Sequence, residues 1–143
     1  MKKAACAFLM LAALLMPACC GAKRQQLPED PIIFVRGEYL PEGAITPDAT
    51  VEYEGRIYIP YASIRPRLFG DLTYAFGKCL GHVDGDDRDR IYALKDSPVE
   101  QWLIEYYEDA VMELPIVLRE ANTRGIEIPW CVESLGWEGA WRD

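Results

Sequence analysis

The segment Val51-Glu-Tyr-Glu-Gly-Arg-Ile-Tyr-Ile59 constrains this chain most, because aromatic and β-branched residues flank Glu54-Gly55 on both sides. Such residues fit a pleated, half-buried surface, and glycine supplies the positive φ that a tight hairpin turn needs. A second hairpin is expected where Lys78–Val83 faces Arg90–Lys95 across the polar stretch Asp84-Gly-Asp-Asp-Arg-Asp89. Further strands are read at Ile32–Val35 and Ile116–Arg119, with Pro115 marking a strand start or an edge. The fold class is therefore mainly β (α+β), a small antiparallel β-barrel or sandwich-like domain.

One helix is expected near 98–113. Ser97-Pro98-Val99-Glu100 has the form of a capping box with proline at the first helical position. Val99, Trp102, Leu103, Tyr106, Ala110, Val111 and Leu114 then recur at helical spacing. The rival reading is a short capped turn followed by a strand, since Trp102-Leu-Ile-Glu-Tyr-Tyr107 is rich in strand formers.

The start of the chain carries an address. Lys2 and Lys3 precede an uncharged apolar run of 13 residues, Ala4–Met16, and Pro17, Ala18 and Cys19 follow. That is the order of an export signal, and the run is shorter than the ~20 residues a spanning helix needs. Leu15-Met16-Pro17-Ala18-Cys19 resembles the lipobox of bacterial lipoproteins, although Met16 and Pro17 depart from its commonest residues. The resemblance implies that residues 1–18 are removed as a signal peptide and that Cys19 receives the lipid; Cys20 is the neighbouring alternative, and a plain secretory cut near Ala18 stays open. Residues 19–31, polar and holding two prolines, then read as a flexible spacer, with one globular β-rich domain over 32–143.

Removal of the signal takes away two of the 15 basic residues and none of the 23 acidic ones, leaving 13 against 23, a net charge of −10. This argues against nucleic acid, whose affinity comes mainly from neutralised phosphates. It suits a soluble domain, and it would also steer a cationic ligand.

Asp84, Asp86, Asp87 and Asp89 crowd carboxylates together, but the spacing of a calcium loop fails and Arg88 and Arg90 compensate locally, so a solvated turn is the expected account and no metal is assumed. His82, the sole histidine, lies three residues from Cys79, which on a regular strand puts the two on opposite faces. A Cys79–Cys131 disulfide is permitted by an exported location, while buried free thiols are the alternative. No serine elbow, phosphate-cradling glycine loop or zinc-protease helix occurs, and no cofactor is implied. Trp130, Trp137 and Trp141 load the C-terminal segment with aromatic surface. Trp137 and Trp141, near Gly136 and Gly139, are the candidates for a binding surface, with packing over the domain as the alternative.

The leading expectation is a membrane-tethered protein outside the cytoplasm that binds a protein or peptide ligand without catalysis. The signal through Cys19, together with Tyr53-Glu-Gly-Arg-Ile-Tyr-Ile-Pro60, resembles the nisin and subtilin immunity lipoproteins, which implies interception of a cationic antimicrobial peptide at the membrane; no residue role carries over. A cell-envelope hydrolase using carboxylates and a structural or assembly lipoprotein are the other classes. A buried acidic pair in a pocket would favour the hydrolase, and an exposed apolar patch would favour binding.

Overall fold

The computed structural model describes residues 25–37, 50–108, 114–123 and 125–134. Cys19, Cys20, Trp137 and Trp141 lie outside them. The described residues form one sheet of eight strands: β1 (Ile32–Gly37), β2 (Thr50–Tyr53), β3 (Arg56–Ile64), β4 (Phe76–Val83), β5 (Asp86–Leu94), β6 (Trp102–Tyr107), β7 (Ile116–Glu120) and β8 (Val132–Ser134). Seven close in the order β2-β1-β4-β5-β6-β7-β3, with β2 paired to β3, and β8 adds to β3 alone. This is a closed barrel, not a sandwich. It is mixed rather than antiparallel, because β1 runs parallel to β4 while pairing antiparallel with β2.

Both expected hairpins form, each on a two-residue turn. Glu54 and Gly55 have φ of 49° and 76°, and Asp84 and Gly85 have φ of 50° and 82°. Two successive positive values match the right-handed twist of the flanking strands. The second turn is thus Asp84-Gly85 only, and the rest of the aspartate-rich stretch is strand β5.

The barrel interior is the face to which every strand contributes: Phe34, Val51, Tyr58, Val83, Ile91, Leu103 and Leu118, one from each of the seven. A second cluster covers the outer face of β4 to β7, where Cys79, Tyr92, Leu94, Trp102, Ile104 and Val117 pack under Ile64, Ala75, Cys131 and Val132. Strands sandwiched in this way are apolar at both parities and lose their alternation. That explains why no helix spans 98–113. Pro98 accepts hydrogen bonds from the amides of Gln101 (3.1 Å) and Trp102 (3.0 Å), so the capping signal builds a single turn. Trp102 and Ile104 then face outward, Leu103 and Glu105 inward, and that two-sided pattern imitates helical spacing. Residues 109–113 lie outside the described ones; among the described residues there is no α-helix.

The start of β4 is irregular. Cys79 opposes Tyr92 while Gly81 opposes Ile91, so Leu80 is an extra residue, and His82 comes opposite Arg90. The bulge resets the parity and puts Cys79 and His82 on one face, correcting the expectation of opposite faces. Gly81 also meets β1 closely, since a Cβ there would lie 1.8 Å from the Ile32 carbonyl oxygen. Of the expected spacer, residues 25–31 run beside β4. The Gln25 side chain donates to the Gly77 carbonyl (3.0 Å) and accepts from the Cys79 amide (3.1 Å), as a neighbouring strand would, and Leu27 packs on the outer cluster.

Two glycine substitutions separate conformational strain from close approach. Gly55→Ala has open space but a left-handed backbone, and should cost ~1–2 kcal/mol in urea denaturation. Gly81→Ala meets backbone that cannot yield without parting β1 from β4, and should cost about 3 kcal/mol or prevent folding. Equal losses would mean that β1 can move aside freely.

Candidate functional site

Two features stand out, and they are separate. The first is a charged cluster on the interior face of the barrel. Arg36 on β1 reaches past β4, its Nη2 lying 2.7 Å from Asp89 Oδ2 on β5 and 2.6 Å from Glu105 Oε1 on β6. The three side chains are 26%, 12% and 11% exposed, so the ions are largely withdrawn from water. Burial first, and then the nearby Asp89, push the Glu105 carboxyl up to about 7 although Arg36 pulls it down; burial also raises Asp89. Two carboxyls and one guanidinium make a site whose charge balances when the acidic pair holds one proton, and the upward shift of both carboxyls runs in that direction. Asp89 Oδ1 is buried without a hydrogen-bond partner.

The second feature is a cleft of about 480 Å³ between the β5–β6 turn and the segment leading to β8. Its first wall is Lys95 to Pro98 with Gln101; its second is Ile126 to Cys131, and Trp102 lies between them. The first wall is pinned by Lys95 N–H to Ala75 O (2.9 Å), by Glu120 N–H to Gln101 O (2.9 Å) and by the Tyr58 hydroxyl to Val99 O (3.0 Å). Burial pushes the Tyr58 phenol up to about 12, so it stays a donor at any ordinary pH. The second wall is pinned by Arg65 N–H to Cys131 O (2.7 Å) and Val132 N–H to Pro129 O (2.9 Å). Ile128 and Trp130 are 49% and 65% exposed, large apolar groups left in water at a concave edge. Trp130 stacks on Tyr74 with centroids 5.7 Å apart, and Arg67 lies over both rings, at 3.9 Å from Tyr74 and 5.3 Å from Trp130.

The sequence candidates divide between these places and neither. The four aspartates do not converge. Asp84 Oδ1 accepts the Arg36 amide (3.0 Å), Asp86 holds Arg88, Asp87 is exposed, and Asp89 turns inward to Arg36. Among the described residues, no three acidic, histidine or cysteine side chains are grouped to hold a metal ion. Cys79 and Cys131 are buried free thiols, so the bridge considered for them is not formed; both pack as small apolar groups in the outer cluster. Burial raises the Cys79 thiol, which keeps it protonated, and its Sγ donates weakly to Gly81 O at 4.0 Å. His82 is buried with Nδ1 unpartnered.

Sequence reasoning missed Arg36 and Glu105 because 69 residues separate them and only the closed barrel joins them. Trp130 carried a signal, an aromatic in a Gly- and Pro-flanked segment, yet nothing local marks it as the exposed one of the two described tryptophans, Trp102 being buried. No protein-family model, curated protein or solved structure matches the chain.

The charged cluster makes a pH-dependent stability prediction. Glu105 titrates higher in the folded chain than its ordinary 4.5, so its protonated form favours folding at low pH, and that contribution fades as pH rises from about 4.5 to about 7. Glu105→Gln should flatten this part of the stability–pH curve and be neutral or stabilising at pH 8. Arg36→Met should cost about 3 kcal/mol at pH 8, because it leaves the carboxyls uncompensated, and less at pH 5. Urea denaturation across pH 5–8 checks both; an Arg36→Met loss independent of pH would contradict the shared-proton account.

Proposed function

We propose that this protein is a non-catalytic binding protein of the bacterial cell envelope, exported and held on the outer side of a membrane by a lipid on Cys19. The observation that carries the binding part is the cleft whose exposed Trp130 and Ile128 stand beside the buried Trp102. A concave, partly apolar site with an aromatic at its rim suits a peptide or an extended protein segment, whose apolar side chains would displace water from Ile128 and Trp130. Lys95, Asp96 and Glu127 give the walls mixed charge, so the cleft itself sets orientation while the domain's net acidity speeds the approach of a cationic ligand.

A hydrolase reading draws on one specific observation, a carboxyl near 7 beside an acidic neighbour, which is the arrangement of a general acid with its partner. Its weakness is position. Neither Asp89 nor Glu105 lines the cleft, and both are occupied by Arg36. Perturbed carboxyls serving the barrel's own charge balance need no substrate.

Metabolic labelling with a fatty acid should mark the wild type and leave Cys19→Ser unlabelled; label that survives the change would move the anchor to Cys20, and a wild type that takes up no label would remove the tether. For the cleft, a fluorescent lysine-rich amphipathic peptide should bind the wild type, and Trp130→Ala should weaken it by about 2 kcal/mol, roughly thirtyfold. Equal binding to both would take the ligand away from the cleft.

A further inference from the structure

The place where the chain meets the barrel limits how the barrel can sit on a membrane. Gln25 is fastened to the start of β4 through Gly77 and Cys79, and its carbonyl accepts from Arg90 Nη1. Five residues lie between it and Cys19, six peptide steps that span at most ~20 Å when fully extended. Three residues before Gly77 is Tyr74, within ~11 Å of it along the backbone. Tyr74 belongs to the corner formed with Arg67 and Trp130, and the residue after Arg67, Leu68, is 85% exposed. The attachment point and this corner therefore share one end of β4.

The chemistry of the corner matches a lipid–water boundary. Trp130 offers a broad apolar ring with one polar edge, Leu68 an apolar tip, and Arg65 and Arg67 guanidiniums that could meet phosphate. Of the acidic groups nearby, Asp71 is engaged in capping Thr73 (2.9 Å), and Asp96 and Glu127 lie in the walls of the cleft that Trp130 rims. The opposite end of β4 leads into the Asp84-Gly85 turn and Asp86 and Asp87, some 25 Å along the strand, where acidic groups belong in water and away from anionic headgroups.

We propose that the Arg67–Leu68–Tyr74–Trp130 corner seats in the headgroup layer of the phospholipid bilayer that carries the Cys19 lipid, standing the barrel on end with the acidic β4–β5 turn pointing away. This rests on the lipid-anchor reading above. It gives the membrane a second contact besides the acyl chains, and it holds the Trp130 cleft beside the lipid surface, where a membrane-associated ligand would meet it.

The test uses the full lipidated chain in phosphatidylcholine–phosphatidylglycerol vesicles, with Cys20→Ser as background and an environment-sensitive fluorophore on Leu68→Cys or, as the companion, on Asp87→Cys. Cys79 and Cys131 are buried and should stay unlabelled. The label at position 68 should be shielded several-fold from iodide and quenched by spin-labelled lipid, while the label at position 87 behaves oppositely. Arg67→Ala with Trp130→Ala should restore iodide access at position 68. Protein that floats with the vesicles but shows equal iodide access at both positions overturns the corner and leaves the anchor standing; protein that does not float overturns both.

Discussion

β1 is the strand on which the barrel depends. It alone joins the parallel partner β4 to the antiparallel partner β2, and without it the sheet from β4 round to β2 would be an open, strongly curved strip. Parallel pairing at that seam needs the two backbones close together at Gly81, where any side chain would collide with the Ile32 carbonyl. The same chain continues upstream to Gln25, whose side chain pairs with the part of β4 that β1 does not reach. An open strand edge invites pairing with other chains, and here the molecule covers it with its own N-terminal segment.

Closure creates two cores from one sheet. The interior is narrow, lined by one large side chain from each strand, and the outer face of β4 to β7 needs a second cover made by the residues between β3 and β4 and by the segment around Cys131. Each fully buried Leu, Ile or Phe contributes ~1.5–3 kcal/mol, so a sheet buried on both faces gains stability that a single-faced sheet of this size would lack. The Arg36 cluster is the polar exception. Two carboxyls that face one guanidinium across three strands hold a proton near neutral pH, an arrangement that trades stability at high pH for charge balance.

The functional geography follows from that architecture. The outer cover does more than bury apolar surface, because its free edge forms one wall of the cleft and exposes Trp130. The turn after β5 forms the other wall and is held from inside the barrel by the Tyr58 hydroxyl. Among the described residues, the perturbed carboxyls and the cleft, features that coincide in most active sites, are on different parts of the molecule, and the proposed binding role draws on the cleft alone.

What the sequence determined by itself was local. Glu54-Gly55 and Asp84-Gly85 set their turns because a positive φ is a property of two residues, and Ile32–Val35 and Ile116–Arg119 read as strands from their own side chains. The proposed export signal with Cys19 likewise rests on local chemistry alone, read without a fold. Tertiary structure decided the rest. Trp102–Tyr107 became a strand because it lies between two cores, a context its own spacing could not display. The parallel seam, the bulge that brings Cys79 and His82 to one face, and the meeting of Arg36 with Asp89 and Glu105 all arise from closing the barrel, which joins residues 53 and 69 positions apart. Local preference extends over a few residues, whereas charge compensation and burial are set by whichever strands closure makes neighbours.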